Sequence, residues 1–201
     1  MAAKKVKAVA KKLRPEITNR DEHGLKEGMD YVFDEENLVD WRKMISKEHL
    51  VPNRQKTKET DVDKLDDKQL LILLAGIKKL ASLRGYESVS YDVSESGQGV
   101  VAVCQIRFIP NFETEGRAVT FSAIADATPS NTTNFGKIFL AAVAENRAFV
   151  RCVRNFLRIN IVGSDEMSAS NETYDTAETN IVQGIDPYET LQRIMMSKGI
   201  S

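Results

Sequence analysis

The sequence predicts an α+β fold: a three-stranded antiparallel β-meander followed by a long helix, with further helices ahead of the meander. Three observations predict it. Between residues 88 and 127 three runs of alternating polarity are separated only by short turns, which implies that consecutive strands pair antiparallel. The stretch "AENRAFVRCVRNFLR" that follows changes to a helical period. The two apolar stretches before residue 85 also carry helical spacing.

Taken in order, residues 1–30 read as a flexible basic arm. "MAAKKVKAVAKKLR" holds Lys4, Lys5, Lys7, Lys11, Lys12 and Arg14 with no acid, and Pro15, Gly24 and Gly28 then interrupt any helix. A solvated tail and an electrostatic tether to nucleic acid both account for it. "DEENLVDWRKMISKEHLV" places Leu38, Trp41, Met44 and Ile45 at helical spacing, with Pro52 closing the run and Trp41 as a core anchor. "NRQKTKETDVDK" is a polar link. "DDKQLLILLAGIKKLASLRGY" is the second expected helix, capped by Asp66 or Asp67 and stopped by Gly85. Its Lys78, Lys79 and Arg84 lie toward the C-terminal end, where cations suit the helix dipole.

The strands are "SVSYDV", "VVAVCQIRFI" and "RAVTFSAIADA", joined by "ESGQG" and "PNFETEG". After "TPSNTTN" the long helix is expected from about Asn134, its N-cap, to Arg158. Four parts result: the arm at 1–30, a core at 31–163, a polar acidic linker at 164–184, and a short helix at 185–201 with Leu191, Ile194 and Met195 on one face.

Charge distribution says more than the sum. The formal net charge of −1 argues against a polyanionic partner, but it hides a basic front and an acidic end. Two cysteines among apolar neighbours, Cys104 and Cys152, read as buried thiols in a reducing compartment. The basic start meets no secretory apolar region, and "LLILLAG" is far short of a membrane span. A cytoplasmic location with no membrane partner is the expectation.

Within the long helix, Arg147, Arg151, Arg154 and Arg158 recur at spacings of four, three and four. At about 100° per residue they form one basic stripe, opposite an apolar arc that includes Phe149, Val150, Val153 and Phe156. Like charges at those spacings repel. No acid of the helix faces them, so a polyanion is one source of the missing charge and arginine's planar fork suits phosphate. An inter-subunit salt-bridge face and acids elsewhere in the fold are the alternatives. Glu145 lies beside the apolar arc, where a carboxylate needs a partner; Arg107 and Arg117 are the candidates, with an exposed rim position the alternative.

"AENRAFVRCVRNFL", set after three strands and the turn "IADATPSN", resembles the arginine helix of the Rad52-like superfamily of single-strand DNA annealing proteins, which includes phage recombinases of the Erf and Sak types. The resemblance spans roughly residues 66 to 160. It implies a homo-oligomeric ring or spiral that holds single-stranded DNA in an outer basic groove and anneals complements without ATP, in recombination and repair. A cognate single-strand binding protein is a further partner. Arg147, Arg151 and Arg154 match the family helix's basic positions and Glu145 its acid. Asn146, Cys152 and Phe149 depart from the family pattern at Thr, Ala and a smaller residue. With Arg158, Arg107 and Arg117 as further phosphate contacts, Phe112 is the best of three base-stacking candidates, ahead of Tyr91 and Phe108.

No phosphate-binding G-x-x-x-x-G-K-[ST] occurs, and His23 and His49 are too isolated for a metal site. Asp126 and Glu145 fall short of the convergent acids of a metal nuclease. The expectation is therefore a protein without catalytic residues, metal or cofactor. A non-annealing binder of single-stranded DNA, and less so a metal-dependent nuclease, are the alternatives.

Overall fold

The computed structural model describes residues 19–133 and 136–167. Among them the chain is α+β, with two three-stranded sheets and two α-helices. The elements in order are β1 (Leu50–Pro52), β2 (Leu70–Ile72), α1 (Leu74–Arg84), β3 (Tyr86–Ser96), β4 (Gly99–Phe108), β5 (Val119–Ala127), α2 (Leu140–Phe156) and β6 (Val162–Gly163).

The larger sheet has the order β3-β4-β5, antiparallel throughout, with Tyr91 opposite Cys104 and Cys104 opposite Ala123. Helix α2 lies across one face of it, mainly over β4 and β5. Alanines at the contact, Ala102, Ala125, Ala127, Ala144 and Ala148, are all buried and let the helix lie close to the strands. Cys104 and Cys152 are free thiols buried between the two layers. The opposite face, carrying Val103, Gln105, Arg107, Ser122 and Ile124, is exposed apart from partial cover at its margins. The smaller sheet sets β2 between an antiparallel β1 and a parallel β6.

The N-terminal elements differ from the helices that spacing predicts. Residues 34–46 form a chain of turns, followed by a 3-10 turn at Lys47–His49 and by β1. Asp34 accepts hydrogen bonds from the backbone N–H groups of Glu36 and Leu38, and Asp40 from that of Lys43. These local carboxylate bonds offer the backbone an alternative to a helical ladder. Trp41 is a core anchor, though on a turn; its indole N–H donates to Glu113 at 3.1 Å. In the second stretch Asp66 does cap, but it caps a single 3-10 turn at Asp67–Gln69. Leu70, Leu71 and Ile72 then form the central strand of the smaller sheet and are at most 2% exposed. A short continuous apolar run satisfies a buried strand as well as a helix. Helix α1 ends at Gly85, whose φ of 83° is the conformation glycine adopts freely.

Two further boundaries shift. Residues 19–30, expected within a flexible arm, fold back on themselves: Arg20 bridges Lys26, and Asp21 accepts from the N–H groups of His23 and Leu25. The segment after α2, expected to open into a linker at 164, instead packs against the helix through β6 and a 3-10 turn at Ser164–Glu166. Gly163 makes that packing possible, because a Cβ there would collide with Cγ1 of Val150. Asn134, residues 1–18, and the linker and helix expected beyond residue 167 lie outside the described residues. Among the described residues no helix is long and apolar enough to cross a membrane.

Candidate nucleic-acid interface

Seventeen residues of α2 carry Arg147, Arg151 and Arg154 on one side. The side is not a free surface. The segment from 159 to 167 turns back along it, and each arginine is committed to that segment or to the β5 end of the sheet.

Arg147 is only 6% exposed. Its Nε donates to the Asp165 carbonyl at 2.6 Å. One terminal nitrogen serves the Asp126 carbonyl at 2.9 Å and Asn131 Oδ1 at 2.8 Å, and the other the carbonyls of Asn131 at 2.6 Å and Met167 at 3.2 Å. Those bonds employ the full fork of donors that a guanidinium possesses. Burial lowers its pKa from the ordinary arginine value, against the pull of Asp126 and Asp165.

Arg151 and Arg154 share one carboxylate, Glu166, whose side chain is 4% exposed. Arg151 Nε lies 3.1 Å from Oε1, and Arg154 bonds both oxygens at 2.7 and 3.2 Å. The backbone N–H of Gly163 adds a further bond to Oε2 at 3.1 Å. Burial alone would raise the Glu166 pKa; Arg154, the Gly163 N–H and Arg151 outweigh it and hold the carboxyl below the usual glutamate value. The remaining donors reach backbone: Arg151 the Ile124 carbonyl at 2.7 Å and Arg154 that of Ile159 at 3.0 Å.

The other expected contacts are also placed otherwise. Arg107 pairs with Glu87 at 2.7 Å, and Arg117 pairs with Glu115. Neither serves Glu145, which is half-buried, has no ion-pair partner among the described residues and lies near Tyr91. Phe112 packs its ring against His23 and Phe33, at 6.4 Å from each, so it fastens the 19–39 loops to the core. Phe108 is buried and stacked on Phe156 at 3.9 Å. Asp126 is bonded to Asn131 at 2.8 Å. Among the described residues no three His, Cys, Asp or Glu side chains gather where they could hold a metal ion.

Arg158 alone of the series is exposed with a side chain that makes no hydrogen bond or ion pair among the described residues. Helix α2 has ended before it, and its φ of 55° turns it out of line with the other three. It stands at the edge of a pocket of about 440 Å³ lined also by Trp41, Arg42, Arg84, Phe156 and Leu157. The acids of that pocket are already engaged. Asp34 binds backbone N–H groups, Asp40 binds Lys43, and Glu113 binds Trp41 and Asn111 and lies 3.7 Å from Arg84.

Arg84 departs furthest from its sequence reading as a dipole-facing surface cation. It is 1% exposed, donates to the Ile109 carbonyl and Asn111 Oδ1 at 2.9 Å each, and lies over the rings of Phe108 and Phe156. Burial lowers its pKa to about 10, with Glu113 opposing. The residues that sequence reasoning missed are Glu166, Asn111 and Glu113. The capping box that Asn111 forms with Thr114 was the available signal for the last two. No protein-family model, curated protein or solved structure matches the chain.

Proposed function

We propose that the chain binds single-stranded nucleic acid without sequence preference and pairs complementary strands without ATP, and that its contact surface is the pocket around Arg158 and not the α2 stripe. The observation that carries this is the exposed Arg158 guanidinium, with no hydrogen bond or ion pair among the described residues, beside a cavity lined in part by Trp41 and Phe156 whose own acids are engaged. A phosphate supplies the missing counter-charge, while the half-buried Phe156 ring offers apolar surface next to it. The order of three antiparallel strands followed by an arginine-bearing helix supports the annealing-protein reading, and with it a homo-oligomeric assembly.

The test is binding and pairing of labelled, bare oligonucleotides by the full chain and by Arg158→Ala. Loss of one phosphate contact is expected to lower the log–log salt slope of single-strand binding by about 0.7. Faster pairing of two complementary oligonucleotides by the wild type is expected to weaken in the variant. Absence of any wild-type binding at low salt refutes the proposal.

A second reading shares the Arg158 pocket and the internal role of the α2 arginines that the Glu166 clamp gives them, but has the protein bind single strands without annealing them. Retained binding with no acceleration of pairing selects it.

A further inference from the structure

Strand β3 has β4 on one side and no described strand on the other. The two strands are joined by the two-residue turn Gly97–Gln98, so the flanking pair Ser96–Gly99 exchanges both of its backbone hydrogen bonds. The register is unbroken from Ser96 back to Ser88. Counting back by twos, Ser94, Asp92, Ser90 and Ser88 also turn N–H and C=O toward β4. Val89, Tyr91, Val93 and Glu95 turn theirs to the open side.

This edge lacks the usual guards, since the eleven residues of β3 include no Lys, Arg or Pro. Tyr91 and Val93 stand opposite the buried Cys104 and Ala102, on the face that carries α2. The helix lies mainly over β4 and β5, and the two side chains are left 41% and 39% exposed. The strand also has an unusual symmetry. Residues 87–95 read "ESVSYDVSE", the same in both directions except that Ser90 answers to Asp92. The centre of this near-palindrome is Tyr91, one of the residues whose backbone groups turn outward.

We infer that β3 is a dimerisation edge: two copies of the chain pair their β3 strands antiparallel about a two-fold axis at Tyr91. A two-fold contact needs a patch that complements itself, and a palindromic edge strand is such a patch. In this register Tyr91 meets its own copy and Val89 meets Val93, so the exposed apolar side chains of both copies close over the axis on the α2 face. On the other face Ser88 meets Ser94, and the Ser90 hydroxyl meets the Asp92 carboxylate, to which it can donate. The neighbouring registers are worse. One sets Asp92 against its own copy, and the other sets Val93 against Glu87. At the strand end Glu87 is held by Arg107 at 2.7 Å, and the irregularity between Tyr86 and Ser88 takes it out of the ladder. Such a contact joins two copies and stops. The inference does not depend on the Arg158 pocket.

Full-length Ser90→Cys and Asp92→Cys proteins, made separately and mixed without nucleic acid, test the register. Directly opposed residues of this kind stand about 4.5 Å apart at Cα, within disulfide reach, whereas either residue and its own copy stand diagonally at about 7–8 Å. With oxidised glutathione, the mixed disulfide is expected about tenfold faster than either variant links to itself. Val93→Pro removes one outward N–H from each copy and leaves the β3–β4 ladder its bonds. It is expected to weaken dimerisation, followed by sedimentation at rising concentration, about tenfold. Val93→Lys keeps the N–H, sets a cation against Val89, and is expected to weaken it too; near-ultraviolet circular dichroism checks that both variants fold. A wild type that stays monomeric at every concentration overturns the inference, as does cross-linking without preference for the mixed pair or dimerisation indifferent to both Val93 variants. Amide protection of Val89, Tyr91 and Val93 that is independent of protein concentration also overturns it, because the edge is then covered within one chain.

Discussion

Glu166 holds Arg154 by two hydrogen bonds, at 2.7 and 3.2 Å, from a side chain that water scarcely reaches. Because Arg151 is bound to the same carboxylate, one residue fastens the segment after α2 to the helix at two points. Replacing it with alanine leaves two guanidinium groups without a counter-ion in a partly enclosed site. Glu166→Ala is expected to cost about 2–3 kcal/mol, read as a lower urea midpoint with unchanged slope. An unchanged midpoint would show that the clamp is ornamental.

The same carboxylate fixes a pH response. Its folded-state pKa lies below the ordinary value of 4.5, so its stabilisation is complete above that value and is lost as pH falls through the depressed one. Wild-type stability is expected to decline below about pH 4.5 more steeply than that of Glu166→Gln. Parallel acid-unfolding profiles for the two proteins would contradict this.

Arg147 tests geometry apart from charge. Arg147→Lys keeps the cation but cannot address carbonyls at Asp126, Asn131, Asp165 and Met167 together. A loss of about 3 kcal/mol or more is expected, because several buried acceptors are left unpaired. Thermal unfolding of the lysine variant at wild-type temperature would exclude the role.

Gly163→Ala places a methyl group against Val150. Overpacking at a fixed backbone contact is expected to destabilise by about 1–3 kcal/mol. The double variant Gly163→Ala, Val150→Ala is expected to recover part of the coupling in a thermodynamic cycle, and strict additivity would place the clash elsewhere.

The sequence made some of this legible for clear reasons. Alternation over β3, β4 and β5 is a period-2 signal that only a half-buried strand produces, and Gly85 stops α1 where it was expected to. "LLILL" gave no period, so β2 could not be told from a helix turn. Local carboxylate bonds at Asp34 and Asp40 outweighed the apolar spacing of residues 38–45. The arginine spacing in α2 was real, but a helical wheel shows only what lies on the helix itself. Glu166 is twelve residues beyond Arg154 in sequence, inside a stretch that composition marks as linker, and only the turn at Gly163 brings it back. A buried counter-ion supplied by a later segment leaves no trace in local periodicity.

The two guanidinium groups seated on the outer rim of β5 also restrict how copies of this protein can be joined. Continuing a sheet around a closed circle requires each member to offer a vacant border on its left and another on its right. Here part of one border, the carbonyls of Ile124 and Asp126, is occupied by side chains of the same chain. Adding a strand to that border at Ile124–Asp126 would first have to break those two contacts.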